Sequence, residues 1–277
     1  MRLLANLPNP YPSLRSLWGV LFFAMLNPAA SADVVVDQVF QPSDKVLSQK
    51  TSRYVLKGGE GGPLAGFKPG GSDKLVAVCS SESDQPIAVT SVTYDGRALR
   101  KVVGANSPAE RHYAAIYVLD HPPASGDLRV EFDGKRFGLG VSLLALSGTA
   151  EGVAATEAAV GRNAASITTT AVGSLVLFSN VRNGGSGTAT PEGLSRVMNV
   201  EAGSASHGAG YKRVDQAGEE KATFDAAEAG SDTVTLAVAF PPATARTASE
   251  PSRGEPIGQS HDWGQPLEDF HDHSYLS

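Results

Sequence analysis

The sequence is poor in the residues that most often carry redox chemistry and sugar stacking. Its 277 residues include one cysteine, two tryptophans and only 7% aromatic residues. The single Cys79 excludes an internal disulfide, so the fold must be held together by its core. Cys79 follows the apolar run Leu75–Val78, which predicts a small buried residue. A reactive thiol is the alternative, and no base lies beside Cys79 in a recognisable motif.

Long apolar runs are also scarce. The one marked run near the start, Leu17–Leu26, has ten residues, whereas a membrane helix needs about 20. It lies in an arginine-containing, acid-free leader and precedes the small residues at 30–32, which is typical of a signal peptide cleaved before Asp33. An uncleaved anchor is the alternative. We therefore predict a secreted, extracellular protein with no membrane span in the mature chain; the periplasm is the alternative location.

Basic clusters are missing as well. The formal net charge is −6, and no basic run is longer than Arg100-Lys101. An anionic protein without clustered cations repels phosphate backbones. Nucleic acid is therefore not a predicted partner.

The chain is rich in β-strand patterns. Between Val92 and Gly148, residues alternate between apolar and polar, and turn pairs such as Asp95-Gly96 and Asp133-Gly134 punctuate the alternation. Residues 128–132 show one wet and one buried face, whereas Val141–Leu146 is almost wholly apolar and predicts a central strand. These patterns indicate an all-β, antiparallel β-sandwich.

The predicted organisation has three parts. Residues 1–32 form the signal peptide, 33–242 form one jelly-roll-like sandwich domain of about 12 strands, and 243–277 form a disordered polar tail. The domain opens with strands and a loop (33–71) whose glycine-rich part, 58–71, is anchored by Phe67.

Three local patterns in the domain give more specific expectations. The alanine- and glutamate-rich segment 150–160 predicts a short helical turn or a crossover. The alternation at 233–240 predicts a half-buried strand. Ser174–Leu177 is similar in composition to Lys74–Ala77, and one short likeness does not by itself establish a repeat.

Several segments together resemble a group of exported bacterial β-sandwich proteins that often carry a PEP-CTERM sorting tail. The likeness covers roughly residues 58 to 242 and rests on GGSDKLVAVCSSES (70–83), VTYDGRAL (92–99), YVLDHPPASGDLRVEFDG (117–134), LALSGTAEGV (144–153) and SITTTAVGSLVLFS (166–179). The resemblance implies a jelly-roll-like module similar to those of phage tails and extracellular adhesins, and it assigns no catalytic residues. Residues 243–277 lack the apolar, arginine-closed helix of a sorting tail, so anchoring by that route is not predicted.

No motif in the sequence predicts catalysis. Serine hydrolysis needs a nucleophile turn such as G-x-S-x-G, which is missing here. Asp127 and Glu131 are carboxylates close in sequence, but their spacing fits the solvated face of a strand better than a glycosidase pair. We predict a non-enzymatic protein without a cofactor.

Candidate binding residues are few and weak. Sugar binding favours exposed aromatic rings beside polar groups, and the candidates are Tyr94, Tyr113, Tyr117 and Tyr211. Tyr113 and Tyr117 share one strand face, so a core position is their alternative. Imidazoles and carboxylates suit transition metals, and the tail candidates are His261, Asp262, His271, Asp272 and His273. An incidental polar tail is the alternative, and Ca²⁺ at sandwich loops is compatible with the chain without assignable ligands.

The functional prediction follows from these features. We expect a secreted β-sandwich protein with an adhesive, matrix-structural or glycan-contacting role, whose partner is extracellular polysaccharide or a cell-surface component. One alternative is a polysaccharide-active enzyme on the same scaffold, because fold alone does not determine activity. A further alternative is a self-assembling surface-layer component.

Overall fold

The structure is a computed structural model that describes residues 33–41, 49–86, 88–184, 190–224 and 232–244. The predicted signal peptide and the tail beyond residue 244 lie outside these ranges. The described residues form sixteen β-strands and no helix. In chain order the strands are β1 Val35–Phe40, β2 Thr51–Leu56, β3 Lys74–Glu82, β4 Val89–Tyr94, β5 Arg97–Ala98, β6 Arg100–Asn106, β7 His112–Asp120, β8 Leu128–Arg136, β9 Gly138–Ser147, β10 Ala155–Val160, β11 Ala164–Thr169, β12 Leu175–Asn183, β13 Ser195–Ala202, β14 Ala205–Arg213, β15 Gly218–Thr223 and β16 Thr233–Phe240. The prediction of an all-β antiparallel sandwich is confirmed, with more strands than the predicted 12 or so.

The strands form four antiparallel sheets. Sheet I has the order β1-β9-β3-β7-β6, and sheet II has the order β2-β8-β4-β5. Sheet III has the order β10-β16-β12-β14-β13, and sheet IV consists of β11 and β15. The sheets stack in the order II, I, III, IV, because each neighbouring pair encloses its own hydrophobic core.

Three separate cores hold the stack together. The first core, between sheets II and I, includes Tyr54, Tyr94 and Leu143. The central core, between sheets I and III, includes Val76, Ile116 and Leu236. The third core, between sheets III and IV, includes Phe178, Ala222 and Phe224. Sheets I and III are therefore covered on both faces.

The two halves of the chain repeat one arrangement. The strands of sheet I correspond one by one, in chain order, to those of sheet III: β1 to β10, β3 to β12, β6 to β13, β7 to β14 and β9 to β16. The ladders show that Lys74 corresponds to Leu175, since Lys74 pairs with Asp120 and Leu146 while Leu175 pairs with Arg213 and Phe240.

The sequence likeness of Ser174–Leu177 to Lys74–Ala77 is thus out of register by one residue. It would place Leu75, which faces the first core, on Leu175, which faces the central core. A shift by one residue exchanges the two faces of a strand.

Several strand predictions can be compared directly with the structure. Strand β8 buries Leu128, Val130 and Phe132 and exposes Arg129, as predicted, and β9 is an interior strand of sheet I that pairs with β1 and β3. The half-buried prediction for 233–240 is wrong, because β16 is buried on both faces between the central and third cores. Every second residue of β16 is a threonine or an alanine, and these side chains are small and uncharged, so a neighbouring sheet can bury them.

Two further predictions concern the segments that join strands. The helical turn predicted within 150–160 is wrong, because β10 pairs residue by residue with β16 there. Its alanines favour a helix locally, but Ala159 packs into the third core and the sheet pairing prevails. The glycine-rich loop 58–71 is confirmed, and Phe67 anchors it against Phe40 and Tyr94, with ring centroids 6.2 and 6.5 Å away.

Cys79 is a buried core residue, as predicted. It is 1% exposed in the first core, and burial raises the pKa of its thiol to about 12. The thiolate that reactive cysteines need is therefore disfavoured. Within the described ranges, no helix is long and apolar enough to cross a membrane.

Candidate functional site

A polar surface groove lies at one end of the first sandwich, which sheets I and II form, where three loops meet. This loop groove has a volume of about 380 Å³. Its lining comes from the loop after β2, the β4–β5 turn, the loop before β8 and the adjoining ends of β4 and β8. It consists of Gly58, Gly59, Thr93, Asp95, Gly96, Ser125, Gly126, Asp127 and Arg129. All nine residues are polar, charged or glycine.

Glycines allow the three loops to approach each other closely. A Cβ atom at Gly126 would lie 2.4 Å from the Cβ of Asp95, and one at Gly58 would lie 2.2 Å from the carbonyl oxygen of Gly126. Asp95 itself has a φ of 49° in the turn, a conformation that aspartate tolerates better than most residues. The backbone N–H of Asp95 donates to the carbonyl of Asp127 at 3.0 Å, which joins two of the loops.

Asp127 is held in its charged form. Its carboxylate accepts hydrogen bonds from Lys57 Nζ at 2.6 Å and from the backbone N–H of Gly58 at 2.9 Å. These two donors hold the pKa of Asp127 below its usual value. Asp127 therefore ties the loop after β2 to the groove.

Asp95 and Arg129 remain open to a ligand. Both are exposed, and within the described part of the chain neither side chain takes part in a hydrogen bond or an ion pair. The groove thus presents one carboxylate and one guanidinium, those of Asp95 and Arg129, whose acceptors and donors are not used by a side chain of the described residues.

The polar surface continues from the groove along sheet II. Arg53 pairs with Glu131 at 2.7 Å, and Ser91 donates to the same carboxylate at 3.0 Å. The hydrogen bond from Ser91 and the neighbouring Arg53 lower the pKa of Glu131. The face around Glu131 is a solvated strand surface, as the sequence predicts, whereas Asp127 lies in the loop just before β8.

Three of the four candidate tyrosines are not surface residues. Tyr94 is 0% exposed, Tyr113 7% and Tyr117 5%, and all three belong to the first core. The hydroxyls of Tyr113 and Tyr117 bond to each other at 2.9 Å, and burial raises the pKa of both phenols. Their rings therefore offer no platform to a sugar at the surface. Tyr211 is half-buried against the central core.

The candidate metal ligands of the tail, His261, Asp262, His271, Asp272 and His273, lie outside the described residues. Among the described residues, no group of three histidine, cysteine or acidic side chains is close enough to hold a metal ion. Asp95 and Asp127 are the two carboxylates at the loop groove. The prediction for the tail remains a prediction.

A buried serine–histidine pair lies between the two central sheets. Ser80 Oγ of sheet I is 2.5 Å from His207 Nδ1 of sheet III, and His207 Nε2 is 3.3 Å from the carbonyl oxygen of Ala202. Both side chains are 0% exposed, and burial lowers the pKa of His207 to about 4. The pair resembles a nucleophile and its base, but no substrate can reach it.

Sequence reasoning did not identify the loop groove. The signals in the sequence are Asp95-Gly96, Ser125-Gly126 and the glycines after β2, which indicate turns and a loop but not that these segments meet. The comparisons add no assignment, since no family model, curated protein or solved structure matches this chain.

Proposed function

We propose that this protein is an exported, non-enzymatic β-sandwich protein that contacts extracellular polysaccharide through the loop groove, in an adhesive or matrix-structural role. One observation carries the proposal: Asp95 and Arg129 line one groove, and both are exposed and make no hydrogen bond or ion pair with a side chain of the described residues. A carboxylate and a guanidinium together can pair with the donors and acceptors of sugar hydroxyls.

The size and rigidity of the groove support this proposal. Its volume of about 380 Å³ lies within the range of small-ligand sites, about 300–1,000 Å³. The Lys57–Asp127 pair and the close glycines fix the loops before any ligand arrives, which reduces the ordering cost of binding.

The composition of the groove also indicates how it would bind. None of its nine lining residues is aromatic, so recognition would depend on hydrogen bonds and not on ring stacking. We therefore expect weak binding at a single site. A repetitive polysaccharide, which can engage several protein molecules at once, would compensate through avidity.

Two observations weigh against the alternative of a polysaccharide-active enzyme. Glycoside hydrolysis needs one carboxyl group with a raised pKa to act as the general acid, whereas the pKa of Asp127 is lowered by its donors. The serine–histidine pair at Ser80 and His207 is enclosed between sheets I and III.

A glycan array probed with the full-length protein tests the proposal. We expect binding to a subset of polysaccharides and a loss of about 5- to 150-fold in the double variant D95N/R129M, since each substitution should cost about 0.5–1.5 kcal/mol of hydrogen bonding. Asparagine keeps the turn conformation of Asp95, because it tolerates a positive φ.

The matched control is E219Q/R100M, which makes the same charge changes at two exposed positions outside the groove. It should bind like the unmodified protein. Equal binding by both double variants would remove the groove from the proposal, and no signal above background for the unmodified protein would remove the glycan contact itself.

A further inference from the structure

Arg136 is a buried cation without a partner. It is the last residue of β8, and its side chain is 0% exposed inside the first sandwich. Throughout the described ranges, no hydrogen-bond acceptor meets its Nε, Nη1 or Nη2 atoms. A guanidinium carries five N–H donors and is costly to remove from water without an acceptor.

The surroundings of Arg136 are aromatic. The centre of its guanidinium lies 5.4 Å from the ring centroid of Phe132 and 5.9 Å from that of Tyr113. Tyr54 packs edge-on against Phe132 at 6.0 Å and donates its hydroxyl to the carbonyl oxygen of Arg136 at 3.2 Å. Cation–π contacts stabilise the charge, but they leave the N–H donors of the guanidinium without acceptors. Their stabilisation is smaller than the free-energy cost of removing the guanidinium from water.

A second unpartnered donor lies at the same end of the first core. Ser81 is opposite Tyr113 in the β3–β7 ladder and shares the face of β3 that carries Cys79 into the first core. Its Oγ is buried and has no partner among the described atoms. The neighbouring phenol oxygens of Tyr113 and Tyr117 are already bonded to each other.

No carboxylate of the described residues bonds to the guanidinium of Arg136. Asp133 acts on the guanidinium through its charge, but it is exposed and its Oδ1 accepts a hydrogen bond from the N–H of Ala88 at 2.8 Å. The buried end of the first core therefore has an excess of donors and of positive charge, which is the chemistry of an anion site.

We propose that Arg136 and Ser81 hold a small inorganic anion, chloride under physiological conditions, inside the first sandwich. Complete burial of the Arg136 side chain restricts the occupant to a small ion. The site is separate from the loop groove, because the groove includes the residues around the start of β8 and Arg136 is at its end. It does not depend on the proposed glycan contact.

Crystals of the full-length protein grown with sodium bromide test the proposal directly. Bromide substitutes for chloride and scatters anomalously. We expect an anomalous peak within about 3.5 Å of the Arg136 nitrogens, a usual distance for hydrogen bonding to a large anion. Ordered water at that position, or bromide only at the protein surface, would overturn the proposal.

Thermal unfolding at constant ionic strength gives an independent test. When gluconate, which is too large for the site, is replaced by chloride, the Tm of the unmodified protein should rise with the logarithm of the chloride concentration, because the anion binds only the folded state. In R136M the rise should vanish, whereas K135M, which removes the exposed charge next in sequence, should retain it. A chloride-independent Tm in the unmodified protein would contradict the site. If R136M does not fold, the chloride dependence of the unmodified protein's Tm and the bromide peak still decide the question.

Discussion

At the residue scale, the buried polar groups are the most informative feature of this molecule. His207 and Ser80 join sheets I and III through one hydrogen bond, and buried Ser142 of β9 adds another by donating to the carbonyl oxygen of Val197 in β13 at 3.1 Å. Gly140 makes room for the ring, since a Cβ atom there would lie 2.6 Å from His207 Cγ. This polar contact in the central core requires Ser80 on β3, Gly140 on β9 and His207 on β14, and so helps to specify how the two sheets pack.

The neutral state of His207 predicts how stability depends on pH. Its pKa is about 4 in the folded protein and near 6.5 when unfolded, so the unfolded chain binds a proton that the folded protein cannot accept. The contribution of His207 to the free energy of unfolding should therefore be complete above pH 7. The free energy of unfolding should fall by about 3 kcal/mol as the pH drops from 6.5 to 4. His112, whose pKa is lowered by burial too, adds to the fall.

Urea unfolding of the full-length protein at pH 7 and pH 4.5 checks this prediction. H207Q should lose most of the difference between the two pH values, even if it is less stable at both. H121N, which alters an exposed histidine with a φ of 50°, should keep the difference. If H207Q keeps the full difference as well, another group is responsible for it.

For individual residues of the candidate site, the sequence predicts which side chains share a strand face but not which loops meet. Alternation within a strand tells which residues share a face, and it left open whether Tyr113 and Tyr117 belong to the core, where the structure places them. It does not tell which loops meet. Gly58, Asp95 and Gly126 are far apart in sequence, and their contact depends on how sheet II is assembled. The loop groove therefore could not be predicted from the sequence.

At the element scale, the edge strands differ in how they avoid pairing with another molecule. Strands β1, β6 and β13 at the edges of sheets I and III each contain a register shift. Such bulges disrupt the regular row of free backbone groups at an edge. Strand β10 pairs with β16 without a shift, and it carries the exposed Glu157 at its middle. A charge on an edge strand has the same protective effect.

Removal of that charge should promote self-association. E157V would leave a regular, largely apolar edge, and we expect concentration-dependent dimers or larger species by size exclusion with light scattering, while the unmodified protein remains monomeric. K101V, which removes an exposed charge on the bulged strand β6, is the control and should stay monomeric. Monomeric E157V at the same concentration would contradict this account of the edge. Assembly of the unmodified protein would instead favour the surface-layer alternative.

Element predictions succeeded where one physical pattern dominated. Strand β8 alternates strictly and β9 is continuously apolar, so their positions followed from the sequence. Strand β10 did not, because alanine and glutamate favour a helix in isolation and only pairing with β16 makes a strand there. Strand β16 was placed correctly, but its second buried face was missed because threonine and alanine are found on both surfaces and interiors.

At the scale of the whole molecule, the chain contains two similar sandwiches that share a central core. Their contacts are reciprocal: β6 packs on β16, and the equivalent strand β13 packs on β9. Reciprocal contacts of equivalent elements are the mark of a twofold interface, here within one chain. Strands β4 and β5 have no counterpart among the described residues of the second half, so the loop groove exists only in the first sandwich.

The most direct test of the central claim is whether the protein binds polysaccharide without changing it. Full-length protein would be incubated with the polysaccharide that gives the highest array signal, and the retained protein, the polysaccharide chain length and the number of reducing ends would be measured. We expect retained protein, unchanged chain length and no new reducing ends. New reducing ends that disappear in D127N would contradict the account and identify the loop groove as the active site of an enzyme.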